Sequence, residues 1–453
     1  MSMHQRRRAS PIPQADGLLV RREAARLLSA VMFKQQPLDD LLDDSLARGQ
    51  GAGFSPRDRA LLRAIVAVAL RRRGQIEALL NGFLTRGRPK HDQQALPVWI
   101  TAAAQILFMR VPSHAAIDTA VTLIGQNKAA AYLKGLTNAM LRRIAREGPD
   151  LISTQDAARL NTPDWLWGSW VSHYGEARTR SDIASAHLIE PALDLTPRDG
   201  NTAELAGRLG GITLPTGSVR LSESHGRIED LEGFAAGEWW VQDAAASLPA
   251  RLLRDVRGKH VIDLCAAPGG KTMQLAAAGA KVTAVDISEA RLGRLRGNLA
   301  RTGLSAEIVC ANAEDFATGG PVDAVLLDAP CSATGTIRRH PDIPYTKSRE
   351  QITALTKLQS ALLRRAVSLV KPGGIIVYCT CSLEPEEGEQ IIEAALADGL
   401  PAERAAIGAE EIGGLAQALT GSGDVRTLPG MTIDEDRGLR GLDGFYICRL
   451  VRQ

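Results

Sequence analysis

Two segments of the sequence place cysteines directly after apolar stretches that are typical of buried strands. They are LLDAPCSATGT, which contains Asp328, Pro330 and Cys331, and IVYCTCSLEPEEGE, which contains Cys379, Thr380, Cys381 and Ser382. A cysteine thiolate is both a nucleophile and a metal ligand. The segments can therefore serve covalent catalysis, metal binding or thiol redox chemistry, and the spacing of the cysteines helps to distinguish the three.

Metal binding and redox chemistry fit this spacing poorly. A zinc set of Cys331, Cys379, Cys381 and His340 would lack the CxxC pair that is usual in such sites, and so would a redox pair of Cys379 and Cys381. We therefore predict no metal site. The three remaining cysteines should be small packing residues. They are Cys265, Cys310 and Cys448.

A third segment ends in a loop that could hold a cofactor. Residues 261–272 read VIDLCAAPGGKT, in which Gly269 and Gly270 would let the backbone, and the N–H groups of a following helix, approach a ligand. Asp286 closes the next strand, 23 residues after Asp263, where a carboxylate can accept hydrogen bonds from both hydroxyls of a ribose. The loop lacks GxGxxG and a full phosphate cradle. S-adenosyl-L-methionine therefore fits it better than a dinucleotide does.

A thiol beside a methyl donor points to methylation of an unactivated pyrimidine carbon. C5 of cytosine is a poor nucleophile until a thiolate adds at C6, and this covalent step divides one difficult reaction into two easier ones. A second group must then help to remove the C5 proton so that the thiol can leave. Asp328 could orient the cytosine or contact the cofactor, and the sequence identifies no base that would activate the thiol.

These residues require a sheet that brings them together. Five apolar segments alternate with helical ones at the spacing of βαβ units, which predicts a doubly wound parallel sheet in residues 239–453. The strands are HVIDL, KVTAVDI, AEIVCAN, VDAVLLD and GGIIVYC, and the helical segments are TMQLAAAG, ARLGRLRGNLARTG and KLQSALLRRAVSLV. Ligands collect at the carboxyl ends of strands in such sheets. We therefore expect Asp263, Asp328, Cys331 and Cys381 to meet in one crevice.

The rest of the chain is organised differently, so the protein should be multidomain. Residues 1–17 carry three arginines without apolar periodicity, which predicts a disordered basic tail. In residues 18–148 apolar positions recur every three or four residues, which predicts an all-α bundle with one helix starting at Ser55-Pro56. Residues 149–238 mix strand-like, helical and turn-like segments. They predict a small α+β linking domain whose tryptophans pack in a core.

The formal net charge of +3 conceals an uneven distribution. Residues 1–150 contain 23 Lys and Arg against 12 Asp and Glu, an excess of 11 positive charges, and the remainder has an excess of 8 negative ones. A basic module can bind a polyanion such as nucleic acid. The candidates for phosphate contacts are basic residues at or near predicted helix ends. They are Arg71, Arg72, Arg73, Arg86, Arg88 and Lys90.

Composition indicates a globular protein of a reducing compartment. Hydrophobic residues make up 45% and charged residues 23% of the 453 residues, which excludes a chain disordered throughout. Six cysteines are too few for a disulfide framework. No apolar run reaches the ~18 residues of a membrane span, and no hydrophobic segment follows the first arginines. We expect a cytoplasmic, monomeric protein with no membrane partner.

Together the motifs resemble those of the RsmB (Sun/Fmu) family of bacterial 16S ribosomal RNA cytosine-C5 methyltransferases. The resemblance covers nearly the whole chain. Its most specific segments are VQDAAASLPARLL, DLCAAPGGKT, LLDAPCSATGTIRRHPDI, VKPGGIIVYCTCSLEPEEGE and GLDGFYICRL. It implies a NusB-like helical domain, a small linking domain and a Rossmann-like class I methyltransferase core.

The resemblance also implies the residues of the cofactor site. The residues of one loop would hold the methionine and ribose parts of S-adenosyl-L-methionine. They are Cys265, Ala266, Ala267, Pro268, Gly269, Gly270 and Lys271. Asp286 would bind the ribose hydroxyls, and Asp328 would lie near the methyl donor and the target base. Asn312 would stand near the adenine, where the family commonly has an acid.

The same resemblance assigns the two thiols. Cys381 would attack C6 and Cys331 would assist product release, whereas DNA cytosine methyltransferases use a Pro-Cys nucleophile. The spacing of the cysteines alone would not choose between these assignments. The chain departs from a more usual basic continuation at Pro344 and Tyr345, which could alter local RNA contacts.

We therefore expect an S-adenosyl-L-methionine-dependent enzyme that forms 5-methylcytosine in small-subunit ribosomal RNA or in an assembly intermediate of that subunit. The target cytosine would leave its stack to enter the crevice. The alternatives are a transfer RNA cytosine-C5 methyltransferase and a non-catalytic NusB-like RNA-binding or antitermination factor. A further rival is a DNA cytosine methyltransferase, against which the helical front domain argues.

Overall fold

The amino-terminal part of the chain is helical, as the apolar periodicity predicts. The computed structural model describes residues 17–84, 87–89, 92–221 and 226–453, so the predicted basic tail lies outside the described residues except for Gly17. The helices of this part are α1 (Gly17–Lys34), α2 (Leu38–Ala47), α3 (Pro56–Arg71), α4 (Arg73–Phe83), α5 (Leu96–Phe108), α6 (Ser113–Gln126), α7 (Lys134–Ser153) and α8 (Ala157–Leu160).

Local sequence signals account for the start of α3 and for the core of the bundle. Ser55 caps α3 through a capping box with Asp58, and Pro56 occupies the first turn, as predicted. The apolar faces of the helices meet in one core that includes Trp99, which is fully buried. Its indole N–H donates to Thr137 Oγ1 at 2.8 Å, so the one polar atom of the side chain is satisfied.

The described chain forms two compact units. The first consists of the chain up to Asn161 together with His340–Thr346, and the second of Thr162–Arg339 and Lys347–Gln453. The division predicted from the sequence into four segments is finer, and its boundaries stay a prediction. No helix of the described residues is both long enough and apolar enough to cross a membrane.

The second unit begins with helices and a small sheet in the region predicted to be α+β. Its helices are α9 (Asp164–Tyr174), α10 (Glu176–Arg178), α11 (Ser185–His187) and α12 (Thr202–Leu209), with a π-helix at Thr179–Ala184. The strands are β1 (Leu193–Pro197), β2 (Ile212–Thr213), β3 (Val219–Leu221) and β4 (Trp239–Val241), in the antiparallel order β2-β3-β1-β4. Of the three tryptophans predicted to pack in a core, Trp170 is fully buried, whereas Trp165 and Trp167 are only half-buried.

A large sheet follows, and the ends of its strands position the glycine loop and the two cysteine segments. Its first five strands are β5 (His260–Leu264), β6 (Lys281–Asp286), β7 (Glu307–Cys310), β8 (Val322–Asp328) and β9 (Val370–Thr380). All five are parallel, in the order β9-β8-β5-β6-β7. The helices of this part are α13 (Leu248–Arg251), α14 (Gly270–Ala277), α15 (Glu289–Thr302), α17 (Arg349–Leu369) and α18 (Glu389–Ala397), while α16 (Ile343–Thr346) belongs to the first unit.

The five predicted strands are parallel, but the complete sheet is mixed because it also contains antiparallel strands that were not predicted. Further strands are β10 (Ala402–Arg404), β11 (Val425–Arg426) and β14 (Tyr446–Arg452), and a separate pair is formed by β12 (Thr432–Asp434) and β13 (Leu439–Arg440). β14 pairs antiparallel with β9 and, on its other side, with β10 and β11. A strand that joins the edge after a long excursion can pair in either direction, because no crossover helix fixes it.

Candidate active site

The carboxyl ends of three neighbouring strands carry the predicted site residues. Asp328 ends β8 and is paired in register with Cys379 of β9, while β5, on the other side of β8, leads directly into the loop that starts at Cys265. Cys331 and Cys381 follow β8 and β9 within three residues. The structure thus brings the two cysteine segments and the glycine loop to one edge of the sheet, as the strand pattern predicts.

The two predicted catalytic thiols are in direct contact. Cys331 Sγ lies 3.5 Å from Cys381 Sγ, and both side chains are partly exposed. The hydrogen bond with Cys381, followed by burial, raises the pKa of the Cys331 thiol well above its ordinary value. Cys331 therefore keeps its proton near neutral pH.

The cofactor-type loop has an unusual backbone that glycine explains at one position. Cys265 has a φ of +62° and Gly269 a φ of +106°, and α14 begins at Gly270. A Cβ added to Gly269 would lie 2.1 Å from Cδ1 of Leu295 on α15. The sequence predicts that Gly269 lets a ligand approach the backbone, but Leu295 fills the space beside this residue. Gly269 is therefore required for the turn and for the packing of α15.

A buried acid lies directly under this loop. Asp263 is fully buried on β5 and accepts a hydrogen bond of 2.6 Å from Thr272 Oγ1. Its other oxygen, Oδ1, has no hydrogen-bond partner among the described residues. Burial raises the pKa of Asp263 to about 7. The loop therefore stands over a carboxyl group with an unused acceptor.

Asp286 ends β6 as a preformed acceptor. Its carboxylate accepts the backbone N–H of Ala267 at 3.2 Å and that of Ser288 at 2.9 Å. Both oxygens also accept from Nη2 of Arg291, at 2.8 and 2.9 Å, and the Arg291 side chain is half exposed. The predicted ribose acceptor is thus buried but faces a group that can move aside.

Asn312, the predicted adenine contact, already has hydrogen-bond partners within the protein. Asn312 donates from Nδ2 to Asp315 at 3.0 Å and accepts at Oδ1 from the backbone N–H of Glu314 at 3.2 Å. Both ends of the amide are therefore used within its own turn. A contact between Asn312 and the cofactor stays a prediction.

Asp328 joins the cofactor loop to the cysteine segments. It accepts a hydrogen bond of 2.8 Å from Lys271 Nζ and lies 3.4 Å from Cys379 Sγ. Although burial alone would lower the pKa of the Lys271 ammonium, the Asp328 carboxylate raises it above the ordinary value. Lys271 also lies over the ring of Phe445, 5.4 Å from the centroid. Cys379, for which the cysteine spacing argues against a zinc or redox role, thus contacts a predicted site residue.

Of the other cysteines, one departs from its predicted packing role. Cys448 is fully buried and Cys265 is half-buried, but Cys310 is exposed at the end of β7. A strand at the edge of a sheet has no neighbour to cover its last residue, and the apolar pattern of AEIVCAN does not show this. Within the described ranges, no three His, Cys, Asp or Glu side chains are grouped as a metal site.

The basic candidates of the first unit are engaged within that unit. Arg72 donates to Gln75 and lies over the ring of Phe108, and Arg73 donates to Glu77 and lies over the ring of Tyr345. These contacts give the two arginines a packing role. A phosphate role stays a prediction for them.

The remaining basic candidates and the departure at Tyr345 fall in the same region. Arg71 is half-buried, and Arg88 donates to Asn81 and Glu77. Arg86 and Lys90 lie outside the described residues. Tyr345 donates to the carbonyl of Leu70 at 3.2 Å, so packing in the first unit accounts for an aromatic residue at this position.

Sequence reasoning missed a buried ionic cluster that joins three of the motifs. Arg338 and Arg339 each donate to both Asp243 and Asp443 at 2.6 to 2.9 Å. Although burial favours the neutral acid, the two arginines hold the pKa of Asp243 well below its usual range. The available signal was one acid in each of the apolar segments VQDAAAS and GLDGFY, together with two adjacent arginines in TIRRHPDI.

Two family models match the chain. The 16S rRNA methyltransferase RsmB/F model matches residues 250–451, and the NusB family model matches residues 19–146. These matches confirm the NusB-like helical domain and the Rossmann-like methyltransferase core predicted from the sequence. S-adenosyl-L-methionine is the methyl donor of this class of enzyme, which confirms the predicted cofactor.

Curated relatives match over nearly the full length. Ribosomal RNA small subunit methyltransferase B of Pseudomonas putida is 34% identical over 95% of this chain and 97% of its own, and that of Klebsiella pneumoniae subsp. pneumoniae is 34% identical over 95% and 97%. The enzyme of the same name from Xanthomonas campestris pv. campestris is 35% identical over 87% of this chain and 92% of its own.

Solved structures share the fold. The crystal structure of PH0851 has a TM-score of 0.72 and 22% identity, and the match covers 99% of this chain and 100% of that one. A methyltransferase homolog protein from Pyrococcus horikoshii has a TM-score of 0.52 at 26% identity, with 63% of this chain and 94% of that one covered. These structures support the fold alone, whereas the curated relatives, at 34 to 35% identity, show that the chain belongs to the ribosomal RNA small subunit methyltransferase B family, whose members are methyltransferases that modify ribosomal RNA.

Proposed function

We propose that this enzyme forms 5-methylcytosine in small-subunit ribosomal RNA through a covalent bond between Cys381 and C6 of the target base. The observation that carries the proposal is the pair of thiols 3.5 Å apart at the carboxyl end of the sheet. Methylation of an exocyclic amine or a ribose hydroxyl needs no such pair, whereas an unactivated pyrimidine carbon needs a nucleophile and a second proton-handling group.

The residues at the sheet edge fit S-adenosyl-L-methionine. Asp286 offers two oxygens to ribose hydroxyls once the half-exposed Arg291 moves aside. Asp263 Oδ1 is a buried acceptor without a donor among the described residues, which suits the ammonium end of the methionine part. The loop 265–271 would lie between them. When bound, the cofactor supplies the electrophilic methyl group that C5 acquires.

The two thiols would have separate tasks. Cys381 Sγ adds to C6 as the thiolate, so a C–S bond forms and the electron pair of the C5–C6 double bond shifts toward C5. After methylation a base removes the C5 proton, the double bond returns, and the bond between C6 and Cys381 breaks. Because the pKa of Cys331 is raised, Cys331 keeps a proton that it can give to the departing thiolate.

The substrate would be presented as an extruded base. C5 and C6 cannot be reached within a stacked duplex, so the cytosine must be turned into the crevice near Asp328. The basic first unit would supply phosphate contacts from Arg71, Arg72, Arg73, Arg86, Arg88 and Lys90, which makes binding salt-dependent.

Bisulfite mapping tests the proposal. Small-subunit ribosomal RNA from cells with and without the protein, and naked transcripts or assembly intermediates treated with the purified enzyme, should differ at one cytosine. A methylated base other than cytosine would overturn the proposal. If methylated cytosine were found only in transfer RNA, the proposed substrate would be wrong but the proposed reaction would still hold.

A further inference from the structure

Each of the two thiols is followed in sequence by a serine, and the two serines bind the same buried carboxylate. Ser332 follows Cys331, and Ser382 follows Cys381. Glu387 Oε2 accepts a short hydrogen bond from Ser332 Oγ and one of 2.6 Å from Ser382 Oγ. Ser332 also donates its backbone N–H to Glu387 Oε1 at 2.9 Å. We call Glu387 with Ser332 and Ser382 the carboxylate clamp.

The directions of the hydrogen bonds in the clamp are consistent throughout. Gln359 Nε2 donates to Glu387 Oε1 at 3.1 Å and to the carbonyl of Pro330 at 2.8 Å. The carboxylate thus accepts four hydrogen bonds, which is its full capacity. Ser382 Oγ accepts the backbone N–H of Glu384 at 3.0 Å, which leaves its hydroxyl proton for Glu387. The donors to Glu387 are uncharged.

Glu387 is itself held in place from the strand that carries Cys381. Its backbone carbonyl accepts from Tyr378 Oη at 2.8 Å and from Thr380 Oγ1 at 3.3 Å, and both donors lie on β9. The Glu387 side chain is fully buried. The clamp therefore connects the loop after β8, the loop after β9 and α17 through a single rigid group.

A fixed clamp sets the distance between the sulfurs. Cys331 and Cys381 are each one peptide unit from a serine that Glu387 holds, so the carboxylate fixes both loops relative to each other. We propose that Glu387 is a positioning residue that keeps the two sulfur atoms in contact for cytosine methylation, and this inference rests on the function proposed above. Glu387 does not touch the sulfurs and acts through the two serines.

The variant Glu387→Gln tests the clamp. The amide has the same size but only one acceptor oxygen, so its NH₂ group would face hydroxyl or N–H donors. Misplacing a reacting group by about 1 Å can cost roughly 100-fold. We expect kcat for RNA methylation to fall by about 10- to 100-fold while KM for S-adenosyl-L-methionine changes by less than about twofold.

A neighbouring carboxylate provides the matched control. Glu386 precedes Glu387 and pairs with Arg349 at 2.8 Å, away from the serines. Glu386→Gln should keep kcat within about twofold of the wild type. Equal kcat values for the two variants would overturn the positioning role. If Glu387→Gln does not fold, Ser382→Ala replaces it, and a wild-type kcat in that variant would also overturn the role.

A thiol assay tests the clamp without RNA, so it separates this inference from the proposed function. Diamide takes two hydrogens from two thiols, and a disulfide of about 2.05 Å forms between sulfurs that approach closely. The Cys331–Cys381 disulfide, mapped by peptide mass spectrometry, should form at least about threefold more slowly in Glu387→Gln than in Glu386→Gln. Equal rates would refute the clamp. Failure of the wild type to methylate cytosine would instead refute the proposed function.

Discussion

The two sides of the crevice are built from different interactions. On the cofactor side, Lys271 pairs with Asp328 and Arg291 pairs with Asp286. On the thiol side, the buried Glu387 carboxylate takes its hydrogen bonds from serine, glutamine and backbone donors. Charged pairs can exchange one partner for a ligand, because each half keeps a strong demand for a counterpart. The Glu387 carboxylate instead has its four acceptor positions filled by uncharged donors of the protein, so the clamp holds a fixed geometry.

The difference suggests a division of labour. Substitutions on the thiol side should lower kcat and leave the affinity for the cofactor unchanged, whereas substitutions on the cofactor side should raise KM for the cofactor. A variant that mixes the two effects would break the comparison.

The largest effect is expected for Cys381→Ala. Loss of the attacking sulfur removes the covalent route, so kcat should fall by roughly 10⁴-fold or more. The fall in kcat is measured as the rate of methyl transfer from labelled S-adenosyl-L-methionine to ribosomal RNA. The equilibrium affinity for the cofactor should be unchanged. Cys310→Ser, at an exposed thiol, is the control and should retain wild-type activity. Wild-type turnover by Cys381→Ala would refute the nucleophile assignment.

Cys331→Ala should follow with a smaller loss and a distinct product. Cys381 can still attack, but the proton that assists its departure is missing, so turnover should fall by about 100-fold. A covalent protein–RNA adduct that survives denaturing electrophoresis should accumulate. The double variant Cys331→Ala, Cys381→Ala should form none. Normal turnover by Cys331→Ala with no adduct would contradict the release role.

On the cofactor side, Asp286→Asn should act on KM. The amide keeps one acceptor of two, and a hydrogen bond to a charged group is worth about 1.5 to 3 kcal/mol. KM for S-adenosyl-L-methionine should therefore rise about 10-fold or more, with kcat within about threefold at saturation. Glu289→Gln, which changes an exposed carboxylate paired with Arg296, is the control. An unchanged KM in Asp286→Asn would remove the ribose contact.

The last effect concerns the stability of the fold and its dependence on pH, and it should leave the division between kcat and KM untouched. The pKa of Asp263 in the fold is about 7 against an ordinary 3.8, so between these values the folded protein retains a proton that the unfolded chain has lost. The contribution of this group to the free energy of unfolding therefore falls as pH rises from about 4 to about 7 and then levels off.

Asp263→Asn should remove this dependence. The free energy of unfolding of Asp263→Asn should exceed that of the wild type by an amount that grows between about pH 4 and about pH 7 and reaches about 2 to 4 kcal/mol. Urea unfolding at a series of pH values measures this difference. Asp255→Asn, at an exposed residue, should follow the wild type. A constant difference between Asp263→Asn and the wild type at every pH would contradict the raised pKa.

Much of the fold and the position of the site could be predicted because both depend on local patterns. The five parallel strands occur where the apolar segments predict them, and parallel strands bring their carboxyl ends to one edge. The antiparallel strand β14 was not predicted. Its segment FYICRL contributed only to the family resemblance, and its sequence does not indicate in which direction the strand would pair. Pairing partners and direction depend on contacts distant in sequence.

The clamp and the ionic cluster escaped prediction for a related reason. In EPEEGE, the acids look alike, yet Glu387 is buried beneath two serines and Glu386 pairs at the surface with Arg349. In the sequence Arg338 and Arg339 similarly resemble an RNA-binding pair, but in the structure their guanidinium groups donate hydrogen bonds to Asp243 and Asp443. Burial is decided by the fold, so charge composition alone assigns such residues to the surface.

The place of β14 in the sheet has a consequence for biosynthesis. β14 lies between β9 and β10, and just before it the backbone N–H of Gly444 donates to the carbonyl of Gly335, in the turn that follows Cys331. The growing chain carries both thiols long before β14 has been made. The sheet that carries Cys331 and Cys381 is therefore completed only after both thiols have been synthesised, because β14 must first pair with β9 and β10.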